Sequence, residues 1–373
     1  MRILSLIAAV ASLVLGISLG LVRFGWDIPL PNYDLLIAHG TLMVCGFLGT
    51  LICLERAVAA RNRLAFILPA LCATGTIVQI IESEHGSGSF FYLCAASGLV
   101  VLYTRLMVTQ PEGHALQITG AACWAIGNVL LALELPLYII LPWWLGFLLF
   151  TVAGERLELA RFRNPRRGII WVFMGFAATF TLASTVASLT FWLDADASIR
   201  VTDSGDYFDS PIWSYADAIR GLSIAGISIW LVRYDLARSA LSREGLPRFS
   251  AASLLLGYGW LIIFALLTVI TPGMVGGTLY DARLHTFFIG FVVSMVFGHA
   301  LIIGPGIFEI SLEFHRWLYL PLTVLHAGVA VRVISDLNED YVLRNTSGLI
   351  AASAVILFGL CILFSRWLAR RPA

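Results

Sequence analysis

Twelve apolar runs divide the chain, each close to the length of one membrane crossing. They fall at about residues 3–22, 35–57, 64–81, 89–108, 116–133, 136–157, 168–193, 212–232, 250–270, 282–304, 317–335 and 346–368. A helix needs about 20 apolar residues to cross a hydrocarbon core roughly 30 Å thick. Inside each run the apolar residues are continuous rather than alternating. The runs therefore predict helices and exclude the strands of a closed barrel. Arg2 ahead of the first run fits the start of a secretory signal, but no small-residue cleavage site follows and eleven more runs do. The first run is expected to remain as a helix. The expected fold is all-α, a polytopic membrane bundle of about twelve transmembrane helices.

The runs are not independent of one another. Gly46-Phe47-Leu48, Glu55-Arg56 and Arg61 return as Gly146-Phe147-Leu148, Glu155-Arg156 and Arg161, offset by 100 residues. A weaker third copy, Gly290-Phe291-Val292 followed by His299, puts histidine where the others have glutamate. Arg63-Leu64-Ala65-Phe66-Ile67-Leu68-Pro69 with Gly75 is echoed by Arg316-Trp317-Leu318-Tyr319-Leu320-Pro321 with Gly328. One transmembrane domain over 1–373 is expected, with internal repeats at about 35–82, 136–193 and 280–335. Helices 2, 6 and 10 are an even step apart and so run in the same direction, which predicts three parallel groups of four helices. An inverted-repeat transporter would need an odd step, and a two-halves transporter would pair helix 2 with helix 8.

Composition agrees with a membrane protein: 59% hydrophobic residues, 13% charged, and a mean hydropathy of +0.88. Those values exclude an ordinary soluble domain. A net charge of +1 offers no footprint for nucleic acid. All 24 basic residues are arginine. With the N-terminus inside, eighteen of them lie on the inner side, against six outside: Arg23, Arg200, Arg220, Arg283, Arg332 and Arg344. That bias predicts a multi-pass protein of the bacterial inner membrane with both termini cytoplasmic. Acidic stretches, Asp194 to Asp209 and Asp336 to Asp340, then fall outside. So do the longest irregular stretches, 194–211 and 271–281. The six cysteines lie within the runs with no CxxC spacing, and read as small apolar residues rather than a zinc site or disulfide framework.

Candidate chemistry rests on histidine. Of seven, His85, His114 and His315 sit in or near loops, where a solvated surface role is expected. His39, His285, His299 and His326 lie inside runs, where an ionisable group is costly and marks a functional site. His39 lies a little over one turn inside the outer end of helix 2, and His285 at a similar depth on helix 10. Two imidazoles at matched depth can clamp one metal or haem iron, or each can simply hydrogen-bond water or headgroups. His326 is roughly 13 Å in from the outer end of helix 11. It either ligates a second metal, approaches the same cofactor or bonds a neighbouring carbonyl. His299 is roughly 21 Å deeper than His285, level with Glu55 and Glu155. Those three form either a divalent-metal or proton-relay cluster, or else Glu55-Arg56 and Glu155-Arg156 are interfacial ion pairs reaching the inner surface. Should a haem be present, Arg332, with Arg283 and Arg344, is expected to meet its propionates; otherwise these are ordinary loop arginines.

Twelve helices in three groups with outer histidines on helices 2 and 10 resemble subunit I of the haem-copper oxidases. More closely, His39-Gly40-Thr41-Leu42-Met43 with Gly46-Phe47, and His285-Thr286-Phe287-Phe288-Ile289-Gly290-Phe291, are similar to helix-start motifs of the NnrS family. Members of that family are haem- and copper-containing membrane proteins associated with nitric oxide stress and denitrification. The resemblance implies haem b with His39 and His285 as axial ligands, and copper as a second cofactor. It departs from the oxidases in that helices 6, 7 and 8 carry no histidine and His285 stands alone between Leu284 and Phe287. A complete oxygen- or nitric-oxide-reducing centre with copper is therefore not expected.

The function implied is electron transfer or ligand sensing at a bis-histidine haem, linked to nitric oxide metabolism. A haem-dependent oxidoreductase without a full copper site is the enzyme form of that expectation. Its partners are the lipid bilayer and either a redox protein or nitric oxide. The rival expectation is a cofactor-free secondary transporter whose polar pathway is lined by His326, Glu134, Glu155 and His299.

Overall fold

A computed structural model of the protein describes residues 2–107, 111–163, 165–193, 198–202, 205–308 and 312–368. Asp194, Arg370 and Arg371, which entered the reading of loop charge, lie outside the described residues. Twelve helices are long and apolar enough to cross a membrane: α1 Arg2–Arg23, α2 Tyr33–Ala59, α3 Arg63–Glu82, α4 Ser89–Leu106, α5 Pro111–Ala132, α6 Leu137–Arg163, α7 Arg167–Leu193, α8 Pro211–Tyr234, α9 Leu246–Ile270, α10 Thr278–Ile307, α11 Arg316–Leu337 and α12 Tyr341–Trp367. The protein is an all-α, multi-pass membrane protein. Each expected run has its helix, and the ends shift most where polar residues form the first turn. Thus α5 begins at Pro111 with Glu112 beside it, a start that proline's fixed φ and the helix dipole both favour.

The chain divides into two compact units, Met1–Glu155 with Pro305–Glu309, and Arg156–Gly304 with Ile310–Ala373. The first unit holds α1 to α5 and most of α6. Here the repeat's glycine explains itself. A Cβ on Gly46 would stand 2.8 Å from Ser12 Oγ and 2.9 Å from Thr76 Oγ1, so α1, α2 and α3 meet where that residue has no side chain. Ser12 donates to Thr76 at 3.4 Å, and Thr76 shares a hydrogen bond of 3.2 Å with the buried Tyr92 hydroxyl. Trp124 of α5 lies over Gly49, with a Cβ there 2.6 Å from its ring, and stacks on Phe147 of α6 at 4.6 Å.

Both α2 and α10 contain an eight-residue π-helical stretch, Leu42–Gly49 and Thr286–Val293. The two are 244 residues apart, as are Gly46 and Gly290. The repeat therefore extends to backbone geometry, and π-turns are rare enough in helices to mark functional segments. The middle copy differs: α6 is α-helical across Leu137–Ala160, with Pro142 inside it.

In the second unit, α9, α10, α11 and α12 share a core of Phe249, Phe297, Leu301, Leu318, Leu325 and Phe358. Phe297 and Phe358 stack at 3.9 Å. One end carries a hairpin, β1 Ile199–Thr202 and β2 Gly205–Phe208, paired antiparallel with Ile199 opposite Phe208. The hairpin is held by the loop before α10: Phe208 donates to the Gly273 carbonyl at 2.9 Å and Val275 to the Asp206 carbonyl at 2.7 Å. The two long irregular stretches are thus joined to each other. Gly273 makes that turn at φ 83°, where a side chain is strained. Its N–H donates to the Asp217 carboxylate at 3.0 Å.

Candidate functional site

His39 lies in α2 three residues ahead of the π-turn, half-buried against α1. Its Nδ1 lies 2.7 Å from the Gly16 carbonyl. A carbonyl can only accept, so Nδ1 carries the proton and the ring's lone pair is on Nε2. Gly20, one turn further along α1, gives the ring its room, since a Cβ there would stand 2.9 Å from His39 Cε1.

His285 immediately precedes the second π-turn. Its Nδ1 lies 2.8 Å from the Asp281 carbonyl one turn back, which again sets the lone pair on Nε2. Arg332 Nη2 is 3.3 Å from the same Nδ1, but the shorter carbonyl contact claims the proton. Around this histidine stands a charged network. Arg332, buried in α11, donates through Nε (2.9 Å) and Nη2 to one oxygen of Asp281. Arg344 reaches Asp281 at 3.3 Å and the buried Asp336 at 3.0 Å. A neighbouring set joins Asp217 to Arg220 at 2.7 Å and to Arg283 at 2.8 Å, all three buried. The arginines expected to meet propionates, Arg332, Arg283 and Arg344, are each engaged by a carboxylate of this chain. Any propionate would have to share Arg332 with Asp281.

His326 is arranged the other way round. The Trp260 indole N–H donates to its Nδ1 at 2.9 Å, so Nε2 carries the proton and faces Ser294 Oγ at 3.3 Å. Ser294 in turn donates to the Ser253 carbonyl at 2.7 Å. Both ring nitrogens are used, and in this arrangement His326 is a neutral tie between α9, α10 and α11. Gly290 belongs to the same device. A Cβ there would stand 2.6 Å from the Trp260 ring.

The repeat's polar residues form ion pairs. Arg56 donates through one nitrogen to Glu55 at 2.5 Å and to Glu155. Arg156 of the second copy donates to Nε2 of His299 at 2.7 Å, while His299 Nδ1–H donates to the Met295 carbonyl at 2.7 Å. Both ring nitrogens of His299 are thus bonded within the chain, and the ion pairs are those of Arg56 with its two glutamates. The pairing partners differ from the adjacent Glu155–Arg156 pair expected. Among the described residues no group of three His, Cys, Asp or Glu side chains could hold a metal ion.

Glu134 sits exposed in the turn after α5 at φ 56°, and Glu155 is paired with Arg56. His114, expected at the surface, is buried within α5 beside Tyr103, ring centroids 6.4 Å apart. Trp260 and Asp281 went unnoticed in the sequence, as did the buried amides of the first unit. Gln117 and Asn128 are fully buried on α5, eleven residues apart and so on one face. Both amide atoms of Gln117, Asn128 Nδ2 and the indole nitrogen of Trp144 have no hydrogen-bond partner among the described residues. Asn128 Oδ1 accepts from the Cys45 thiol at 3.4 Å, and Cys45 accepts from Trp124 at 3.3 Å. Two amides in an apolar run were the signal available.

No curated protein matches this chain. A family model does match along nearly its whole length, residues 2–367, and the chain belongs to that family, described as a domain of unknown function, DUF8744.

Proposed function

We propose that the chain is a b-type haem protein of a bacterial inner membrane, with both termini cytoplasmic, in which His39 and His285 offer iron their Nε2 lone pairs. One observation supports this above the others. Each ring gives its Nδ1 proton to a backbone carbonyl, at 2.7 and 2.8 Å, the outer hydrogen bond by which ligating imidazoles are oriented and made more basic. His299 and His326 are each hydrogen-bonded at both ring nitrogens. Bound haem would supply one-electron exchange and an iron that a diatomic gas can reach by displacing a histidine. The chain's own residues do the rest. Gly16 and Gly20 seat the His39 ring, and Arg332 holds Asp281, whose carbonyl orients His285. Arg332 thus serves as a positioning residue. The resemblance to the NnrS family supports a role in nitric oxide metabolism, as electron carrier, sensor or oxidoreductase. Copper, which the same resemblance implies, receives no ligand set in this proposal, because His299 and His326 are bonded at both nitrogens.

The test is a reduced-minus-oxidised visible spectrum with iron analysis on protein purified in mild detergent. A b-type α-band with about one iron per chain, lost in His39→Ala and in His285→Ala, is expected. Full haem retention in both variants would sink the proposal.

A cofactor-free transporter is the second reading, and one observation favours it. The unpartnered amide of Gln117, the unpartnered Nδ2 of Asn128 and the Trp144 indole nitrogen lie inside membrane-crossing helices, where an unsatisfied polar group costs several kcal/mol. A polar solute or water threading the first unit would satisfy them. A colourless, iron-free protein whose uptake activity falls in Gln117→Leu would promote this reading over the first.

A further inference from the structure

A cavity of about 880 Å³ opens in the second unit where α9 and α11 begin. Its size is that of a ligand site for a molecule with tens of atoms, not of a single ion. One wall is built from aromatic rings in fixed contact: Tyr319 meets Phe249 edge-on at 5.3 Å and Phe314 at 6.3 Å. Gly245 caps α9 at φ 68°, and a Cβ there would stand 3.9 Å from the Phe314 ring, so its lack of a side chain leaves that side of the cavity open. Two guanidiniums line it, Arg248 of α9 and Arg316 of α11, and both are exposed. Neither makes an ion pair or hydrogen bond with a described residue. The one carboxylate in the lining, Glu244, is bonded to neither.

Two guanidiniums facing one space repel each other unless an anion stands between them. Arginine's planar fork matches phosphate better than it matches a monatomic ion. The first turn of α9 adds the positive end of its dipole on the same side. The cavity also lies at the ends of two membrane-crossing helices, which is the level of lipid headgroups, and it belongs to the face where the arginines of this chain are concentrated.

We propose that this cavity binds a phosphate-bearing ligand through Arg248 and Arg316, with Phe314 and Tyr319 packing against the ligand's apolar part. The same chemistry is presented by the headgroup of an anionic phospholipid and by a soluble phosphate ester. Volume and position favour the headgroup. The proposal is independent of any haem.

The test is native mass spectrometry of the full chain released from detergent with phosphatidylglycerol or with phosphatidylcholine, repeated with inorganic phosphate as competitor. Retention of phosphatidylglycerol at least fivefold above phosphatidylcholine is expected, falling to the phosphatidylcholine level in R248A/R316A. R248K/R316K should keep part of it. Displacement by millimolar inorganic phosphate, dependent on the same arginines, would also support the site and assign it to a soluble ligand. Because both arginines are exposed, the double variant should elute as the wild type does. Ala252→Trp, which fills the cavity and removes no charge, provides a second check. Unchanged phosphatidylglycerol retention in both R248A/R316A and Ala252→Trp would overturn the proposal.

Discussion

Trp260 donates its indole N–H to Nδ1 of His326 across 2.9 Å. The bond turns the histidine most deeply placed in α11 into an acceptor at the nitrogen that a metal would otherwise use. Removing it in Trp260→Phe should cost about 1–3 kcal/mol, the usual penalty for stranding a buried acceptor, read as a lower midpoint of thermal unfolding. His326→Ala should likewise destabilise while leaving the haem content unchanged. Loss of haem in His326→Ala with folding intact would restore His326 to the ligand set.

Gly20 should tune the proposed haem without touching it. Gly20→Ala places a methyl 2.9 Å from His39 Cε1, and the imidazole must shift to accept it. A displaced α-band or an altered midpoint potential is expected in a protein that still folds. Gly175→Ala, on a helix surface with nothing within 4 Å, is the control and should leave the spectrum unchanged.

Asp217 neutralises two buried guanidiniums, Arg220 and Arg283. Asp217→Asn leaves both charges without their counter-ion and should destabilise by about 3–5 kcal/mol, the scale for breaking a buried pair from one side. Denaturant or thermal unfolding of the purified protein would measure it. A change below about 1 kcal/mol would mean that water reaches the arginines.

Arg56 bridges Glu55 and Glu155, the matching glutamates of two repeat copies. In Arg56→Gln the two carboxylates lose their shared cation, and a cost of about 2–3 kcal/mol is expected for the lost charged hydrogen bonds. Adding Glu155→Gln should recover part of that loss. A double-mutant cycle with coupling of about 1 kcal/mol or more would confirm the bridge, and additive losses would contradict it.

What the linear chain reveals is uneven for a physical reason. The twelve crossings were legible because each apolar run must be as long as the bilayer is thick, a constraint met locally. The ends of α5 and α12 were not, since Pro111, Glu112, Tyr341 and Arg344 are polar or interfacial residues that a helix can include once its core is placed. Arg220 entered the sequence reading only as one of six outer-side arginines, yet it is buried in α8 beside Asp217 one turn away. The i,i+3 spacing was in the sequence, and the burial that makes it matter was not. Trp260 carried no signal of its own. An apolar run containing tryptophan reads as packing, and only the absence of a side chain at Gly290 lets the ring lie where it reaches His326.

The repeat shows the same division. Its glycines and glutamates could be aligned by eye, but nothing in Leu42–Gly49 or Thr286–Val293 announces a π-turn. Helical character, membrane character and the depth of His39, His285, His299 and His326 follow from the sequence by itself, because hydropathy and the cost of a bare charge in lipid act on each residue separately. Which nitrogen His39 and His326 present was decided only by tertiary structure. A tautomer is set by its hydrogen-bond partner, and those partners, the Gly16 carbonyl 23 residues from His39 and the Trp260 indole 66 residues from His326, are brought to the ring by the packing of one helix on another.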